Sequence, residues 1–343
     1  MSKANDQSPS PSARADGKIH LHVENAGELG PVFEASPERV ATALRDHPGV
    51  AERLHVTIGY DGDIVERELP DTDVLFAWKF DRANLAARAP QLKWVHAHGA
   101  GVNHLMPLTW LPKGAVLTNS RGVHAERASE YAIMAVLMLN NHLPEMMTNQ
   151  RQARWKQLFN SAVVGKTLLI VGVGHVGGSV AGWAKRFGMR VIGIRRTGRN
   201  HRSVDAMHRP EDLPKLLPGA DFVLVTAPHT DATHHLIGAR EIALLKQGAG
   251  LVNYSRANLV DYEALRPRLE RGEISAVLDV FDPEPLPSAS PLWRTPNLVI
   301  TPHSSSDDAE QYTPRTLDLV MRNMERFLRG KKLLNRVSRT LQY

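Results

Sequence analysis

The residues in this chain whose spacing first implies chemistry are three glycines and a run of arginines. Gly172, Gly174 and Gly177 stand in VGVGHVGG, and Arg195, Arg196 and Arg199 in IRRTGR. A G-x-G-x-x-G turn that follows a strand and opens a helix binds a dinucleotide pyrophosphate. The first glycine permits the tight turn, the second lets the backbone approach the phosphates, and the third lets helix and strand pack closely. The amides of His175 and Val176 then face the phosphates from the helix N-terminus. About 20 residues on, an NAD site carries Asp or Glu for the adenosine ribose. This chain has Arg195 there, with Arg196, Arg199 and Arg202 close by and no acid from Arg190 through Val204. Guanidinium forks suit a 2′-phosphate, so NADP(H) is the expected cofactor and NAD(H) the second candidate.

Further ionisable groups follow in order: Arg256 in NYSRANLVD, Asp279 and Glu284 in LDVFDPEPLP, and His303 in TPHSS. Each comes just after a predicted strand, where open α/β sheets place their ligand crevices. The adjacent His234 and His235 suggest a metal, but successive side chains diverge and no carboxylate cluster accompanies them, so no metal is expected.

The elements that must position these residues alternate. KIHLHV, LHVTIGY, TDVLFAW and LKWVHAHG read as strands, with helices near SPERVATALRDH and RANLAARAP. KTLLIVGVG, RVIGIR, ADFVLVTAP, GAGLVNYS, ISAVLDVF and NLVITPH read as a second series with a helix at GGSVAGWAKRFG. Such alternation predicts an α/β protein with parallel sheets. Residues 126–147 read as one long helix, buried or at an interface. A last helix is predicted over 306–328, with Leu317, Val320, Met321, Met324, Phe327 and Leu328 on one face.

The 343 residues are 42% hydrophobic, enough for two domains, and contain no cysteine, which excludes disulfides and thiolate chemistry and suits a reducing cytoplasm. Residues 1–17 lack the apolar core of a signal peptide and read as a disordered tail. The apolar run over 163–184 is interrupted by Lys166 and His175, so no membrane span is expected. The net charge of +6 comes from 42 bases and 36 acids. The densest arginine cluster already has a cofactor to bind, so no nucleic-acid partner is expected.

At the glycine turn, Arg256, the Glu284-Pro pair and the Pro-His303 pair, the chain resembles the D-isomer-specific 2-hydroxyacid dehydrogenase family. The resemblance covers nearly everything after the tail. It implies two Rossmann-like domains, with the cofactor domain (121–302) inserted into a flavodoxin-like substrate domain (18–120 and 303–343), and an active site in the cleft between them. It implies NAD(P)-dependent reduction of a 2-oxo acid, with His303 as general acid, Glu284 holding its ring and favouring the imidazolium, and Arg256 clamping the substrate carboxylate. It places Asp279, Pro228 and Thr233 at the cofactor, and the amides of Ala100 and Gly101 in HGAGVNHL at the substrate; Asn103 stands where the family often has Asp. LFAW, GAGVNHL and SPLWRTPNLVITPH are most similar to the glyoxylate/hydroxypyruvate reductase A branch, with Trp78 lining the pocket. Formate dehydrogenases carry glutamine at the position of Glu284, which sets them aside. A homodimer is the expected assembly, and a dinucleotide-sensing corepressor is the alternative to an enzyme.

Overall fold

A computed structural model describes residues 17–342, so the expected tail lies outside the described residues except for Gly17. The chain forms two compact units, one running up to Val123 and resuming at Asp308, the other spanning His124–Asp307. His303 thus belongs to the second unit.

The first unit holds β1 (Ile19–Asn25), β2 (Leu54–Tyr60), β3 (Val74–Ala77), β4 (Trp94–Ala97) and β5 (Val116–Asn119). The order β2-β1-β3-β4-β5, parallel throughout, is the flavodoxin-like arrangement. Leu21, Val23, Val74, Phe76 and Trp94 pack on one face with Leu317, Val320, Met321, Met324 and Phe327 of the last helix. Leu75, Val95 and Leu117 pack on the other. Two histidines inside this apolar strand are satisfied as buried polar groups must be. His20 Nε2 and His22 Nδ1 each meet the Thr57 hydroxyl at 2.8 Å, and His22 Nε2 meets Glu24 at 3.0 Å.

The second unit holds β6 (Thr167–Val171), β7 (Arg190–Ile194), β8 (Ala206–His208), β9 (Phe222–Val225), β10 (Gly250–Asn253), β11 (Ser275–Leu278) and β12 (Leu298–Ile300). Its order is β12-β11-β10-β9-β6-β7-β8, so the winding reverses between β6 and β9, beside the glycine turn. Such a reversal opens a crevice at the strand carboxyl ends. In β6, Leu168 and Ile170 enter one core while Leu169 and Val171 enter the other, which explains its unbroken apolar sequence.

Two helices and two strands differ from the sequence expectation. The helix expected over 126–147 is two helices, Ala125–Asn140 and Leu143–Arg151, because His142 adopts a left-handed conformation (φ 55°) and Pro144 opens the second. The last helix starts at Tyr312, since the Asp308 carboxylate takes the amides of Glu310 and Gln311 in a preceding turn. β5 and β8 are not expected from the sequence: β5 (VLTN) is half polar and β8 (AMH) lies between Asp205 and Arg209, so neither presents an unbroken apolar run.

Candidate active site

The glycine turn is built as its sequence requires. Gly172 has φ 111°, a region that favours glycine, and a Cβ there would lie 2.4 Å from the Ala227 amide nitrogen. A Cβ on Gly177 would lie 2.5 Å from the Gly172 carbonyl oxygen, so the helix His175–Arg186 can approach β6 only without one. Gly174 differs: an added Cβ meets nothing within 4 Å. The protein leaves that side of the turn open, as a phosphate cradle must be. The amides of His175 and Val176 lie in the first turn of that helix, where the dipole favours an anion. These residues fit a dinucleotide pyrophosphate.

Arg195 follows the last residue of β7, its amide donating to the His208 carbonyl at 3.0 Å. Arg196 and Arg199 are exposed. The first acid after them, Asp205, is committed elsewhere, to Lys185 at 2.7 Å and the Val191 amide at 2.8 Å. No carboxylate follows β7 to take ribose hydroxyls, and the cluster fits a 2′-phosphate.

His303 Nδ1 lies 2.6 Å from a Glu284 oxygen. The other Glu284 oxygen accepts the Phe281 amide at 2.7 Å, so the carboxylate is fixed at both ends. Engaging Nδ1 leaves Nε2 as the nitrogen available for proton transfer. His303 itself has φ 49°, which costs energy in a non-glycine residue and persists only when its surroundings enforce it. The enforcement is visible: the His303 amide donates to the carbonyls of Asp279 (2.8 Å) and Thr301 (3.1 Å).

Asp279, expected at the cofactor, is fully buried. Its carboxylate accepts from the Thr301 hydroxyl at 2.5 Å and from the amides of Ser304 and Ser305, each at 3.2 Å. Thr301 in turn meets the Tyr131 hydroxyl at 2.7 Å. The side chain therefore pins both flanks of His303. Arg256 follows β10, and its carbonyl accepts from Asn253 Nδ2, which also donates to the Tyr262 hydroxyl.

Two groups near this set were not foreseen. Asp307 is held above its ordinary value by burial, with His303 and Arg256 opposing the shift and Asp279 adding to it. The same residue thus feels His303, Asp279 and Arg256 together. His124 is pushed down to about 4, first by burial and then by Arg256. Neither carried a signal in the sequence, because each matters only through residues far along the chain.

The remaining expected residues form local structures. Thr233 donates its hydroxyl to the Pro228 carbonyl at 2.8 Å and accepts the Thr230 amide, closing the loop after β9. Among the described residues, no three His, Asp or Glu are grouped to hold a metal, and no helix is long and apolar enough to cross a membrane. In the first unit, Trp78 packs 4.8 Å from the Phe33 ring and 5.2 Å from His98. Ala100 and Gly101, just after His98 in the chain, are partly exposed, and the Ala100 carbonyl accepts from Asn119 Nδ2 at 2.6 Å.

The family model for the D-isomer specific 2-hydroxyacid dehydrogenase NAD binding domain matches residues 133–305, just over half of the chain. A glyoxylate reductase of Korarchaeum cryptofilum is 33% identical over 277 residues, 78% of this chain and 83% of that protein. A D-isomer specific 2-hydroxyacid dehydrogenase from Xanthobacter autotrophicus Py2, solved with NADPH and MES, superimposes with a TM-score of 0.81 at 30% identity, covering 95% of this chain and 100% of that one. An NADPH-dependent glyoxylate/hydroxypyruvate reductase from Sinorhizobium meliloti, solved with NADP and sulfate, gives 0.79 at 26%, with the same coverages. With a doubly wound cofactor unit, a glycine cradle and an ordered Arg, Glu and His set, this chain belongs to the D-isomer specific 2-hydroxyacid dehydrogenase family and is an NAD(P)-dependent oxidoreductase of 2-oxo and 2-hydroxy acids.

Proposed function

We propose that the protein uses NADPH in preference to NADH to reduce a small 2-oxo acid, glyoxylate or hydroxypyruvate, to the D-2-hydroxy acid. The observation that carries the chemistry is the 2.6 Å contact between His303 Nδ1 and Glu284. When bound, the dinucleotide supplies the hydride that the substrate C2 accepts. His303 would donate its Nε2 proton to the carbonyl oxygen as the covalent C2–H bond forms, with Glu284 beside its ring to balance the charge. Arg256 pairs with the substrate carboxylate, a planar task that suits a guanidinium. Asp279 acts by holding the turn that carries His303, and Pro228 and Thr233 shape the loop facing the cofactor. In the first unit, Trp78 and the amides of Ala100 and Gly101 are assigned to the substrate. The choice of NADPH rests on Arg195, Arg196 and Arg199, and the solved NADPH and NADP complexes of similar proteins support it. The active species is a homodimer.

The test follows absorbance of NADPH and NADH with glyoxylate, hydroxypyruvate and pyruvate. Turnover faster with NADPH, and lowered about 10² to 10⁴-fold by His303→Ala, is expected. Binding of both dinucleotides without turnover would move the sensing reading ahead; full activity in His303→Ala would overturn the acid assignment.

A further inference from the structure

We propose that His201 is a proton-linked specificity residue of the adenosine-phosphate site, taking up a proton when a 2′-phosphate binds beside Arg195, so that selectivity for NADPH over NADH rises as pH falls. The inference rests on the NADP reading above and adds to it a residue and a regulation.

The His201 ring sits against the first turn of the helix that opens the glycine cradle. A Cβ on Gly178 would lie 2.7 Å from His201 Nε2 and 3.0 Å from Cε1, so the glycine after Gly177 is what gives the ring its seat. The Ser203 amide donates to His201 Nδ1 at 3.3 Å. Because Nδ1 accepts, the neutral ring carries its proton on Nε2, the atom against the helix turn. The groups around the ring are nearly all of one sign. Arg195 and Arg202 come from its own segment, and the helix contributes its positive N-terminal end, with His175 at the start and Lys185 in the last turn, the latter paired with Asp205. Burial first, then Arg195 and Arg202, hold His201 below the ordinary histidine value.

Burial, Arg195 and Arg202 each disfavour an imidazolium in the absence of ligand, and a phosphate dianion among the arginines reverses the balance. The sign of proton exchange separates this mechanism from arginines alone. A 2′-phosphate, whose second ionisation lies near pH 6, releases protons when it binds fixed cations. Uptake requires a second group that gains a proton, and NADH, lacking the phosphate, should drive none.

Titration calorimetry with NADPH and with NADH, in pairs of buffers of different ionisation enthalpy, measures the protons exchanged at pH 6.5, 7.5 and 8.5. The expected result is net uptake with NADPH below pH 8, none with NADH, and an NADPH preference that increases severalfold from pH 8.5 to 6.5. His201→Asn keeps an acceptor for the Ser203 amide but cannot titrate, and Gly178→Ala fills the seat of the ring; both should abolish uptake. Proton release or no exchange in the wild type, or unchanged uptake in His201→Asn, would overturn the proposal. If NADPH and NADH instead bind equally at pH 8.5, where the ring is neutral, the arginine reading fails and takes this inference with it.

Discussion

At the scale of single residues, the candidate site fixes one imidazole. Glu284 holds Nδ1, the Phe281 amide holds Glu284, and Asp279 holds the turn on both sides of His303. The pair is roughly half exposed, so its charge contributes little to folding, about 0–1 kcal/mol. Its value is positional and chemical, which makes Glu284→Gln an informative variant. We expect kcat to fall about 10²-fold or more, with KM changed far less and the melting temperature nearly unchanged. Steady-state kinetics beside a thermal melt would check this, and a kcat near the wild-type value would remove Glu284 from proton transfer. His303 and Glu284 were legible in the sequence because short ordered motifs, Glu-Pro and Pro-His, carry them. Asp307 was not, since its significance depends on packing near Arg256 and Asp279, which no local pattern records.

At the scale of elements, glycines in one motif do different work, and substitution should separate them. A methyl on Gly177 would press on the Gly172 carbonyl oxygen at 2.5 Å and the Thr226 hydroxyl at 2.9 Å, so helix and strand must move apart. A methyl on Gly174 meets no protein atom within 4 Å, and its φ of −107° suits any residue. Gly177→Ala should therefore lose about 1–3 kcal/mol of stability as well as dinucleotide affinity. Gly174→Ala should keep its stability within about 0.5 kcal/mol and lose affinity alone. Thermal melts with NADPH fluorescence titrations test the contrast; unchanged NADPH affinity in Gly174→Ala would show that the open side of the turn is not a ligand seat. Elements were legible where apolar runs were unbroken, as in β6 (TLLIV) and β9 (FVLV). Breaks were harder to read: Asn140, Asn141 and His142 interrupt the apolar run, but polar residues also occur inside helices, and the break itself comes from the left-handed His142 and from Pro144 two residues on.

At the scale of the whole molecule, the second unit carries an apolar groove with large hydrophobic side chains exposed at and near it. Ile133, Met134, Leu137, Met146, Trp183 and Phe187 border a groove of about 680 Å³. Close along the chain, Trp155 and Phe159 are 93% and 85% exposed. Single exposed hydrophobic residues need no explanation, but a contiguous set with several aromatics marks a docking surface. We assign it to a second copy of this chain, which extends the interface expected of 126–147 across the turn at His142 into the segment that follows. Aromatic and methionine side chains are the types enriched at such contacts. Light scattering should then give twice the 38.0 kDa chain mass at micromolar concentration. Met134→Glu, which would bury a charge in that contact, should shift the protein toward monomer while leaving the second unit able to bind NADPH. A wild type that scatters as a monomer would remove the dimer, and a Met134→Glu variant that stays fully dimeric would place the assembly surface elsewhere and leave this groove to another partner.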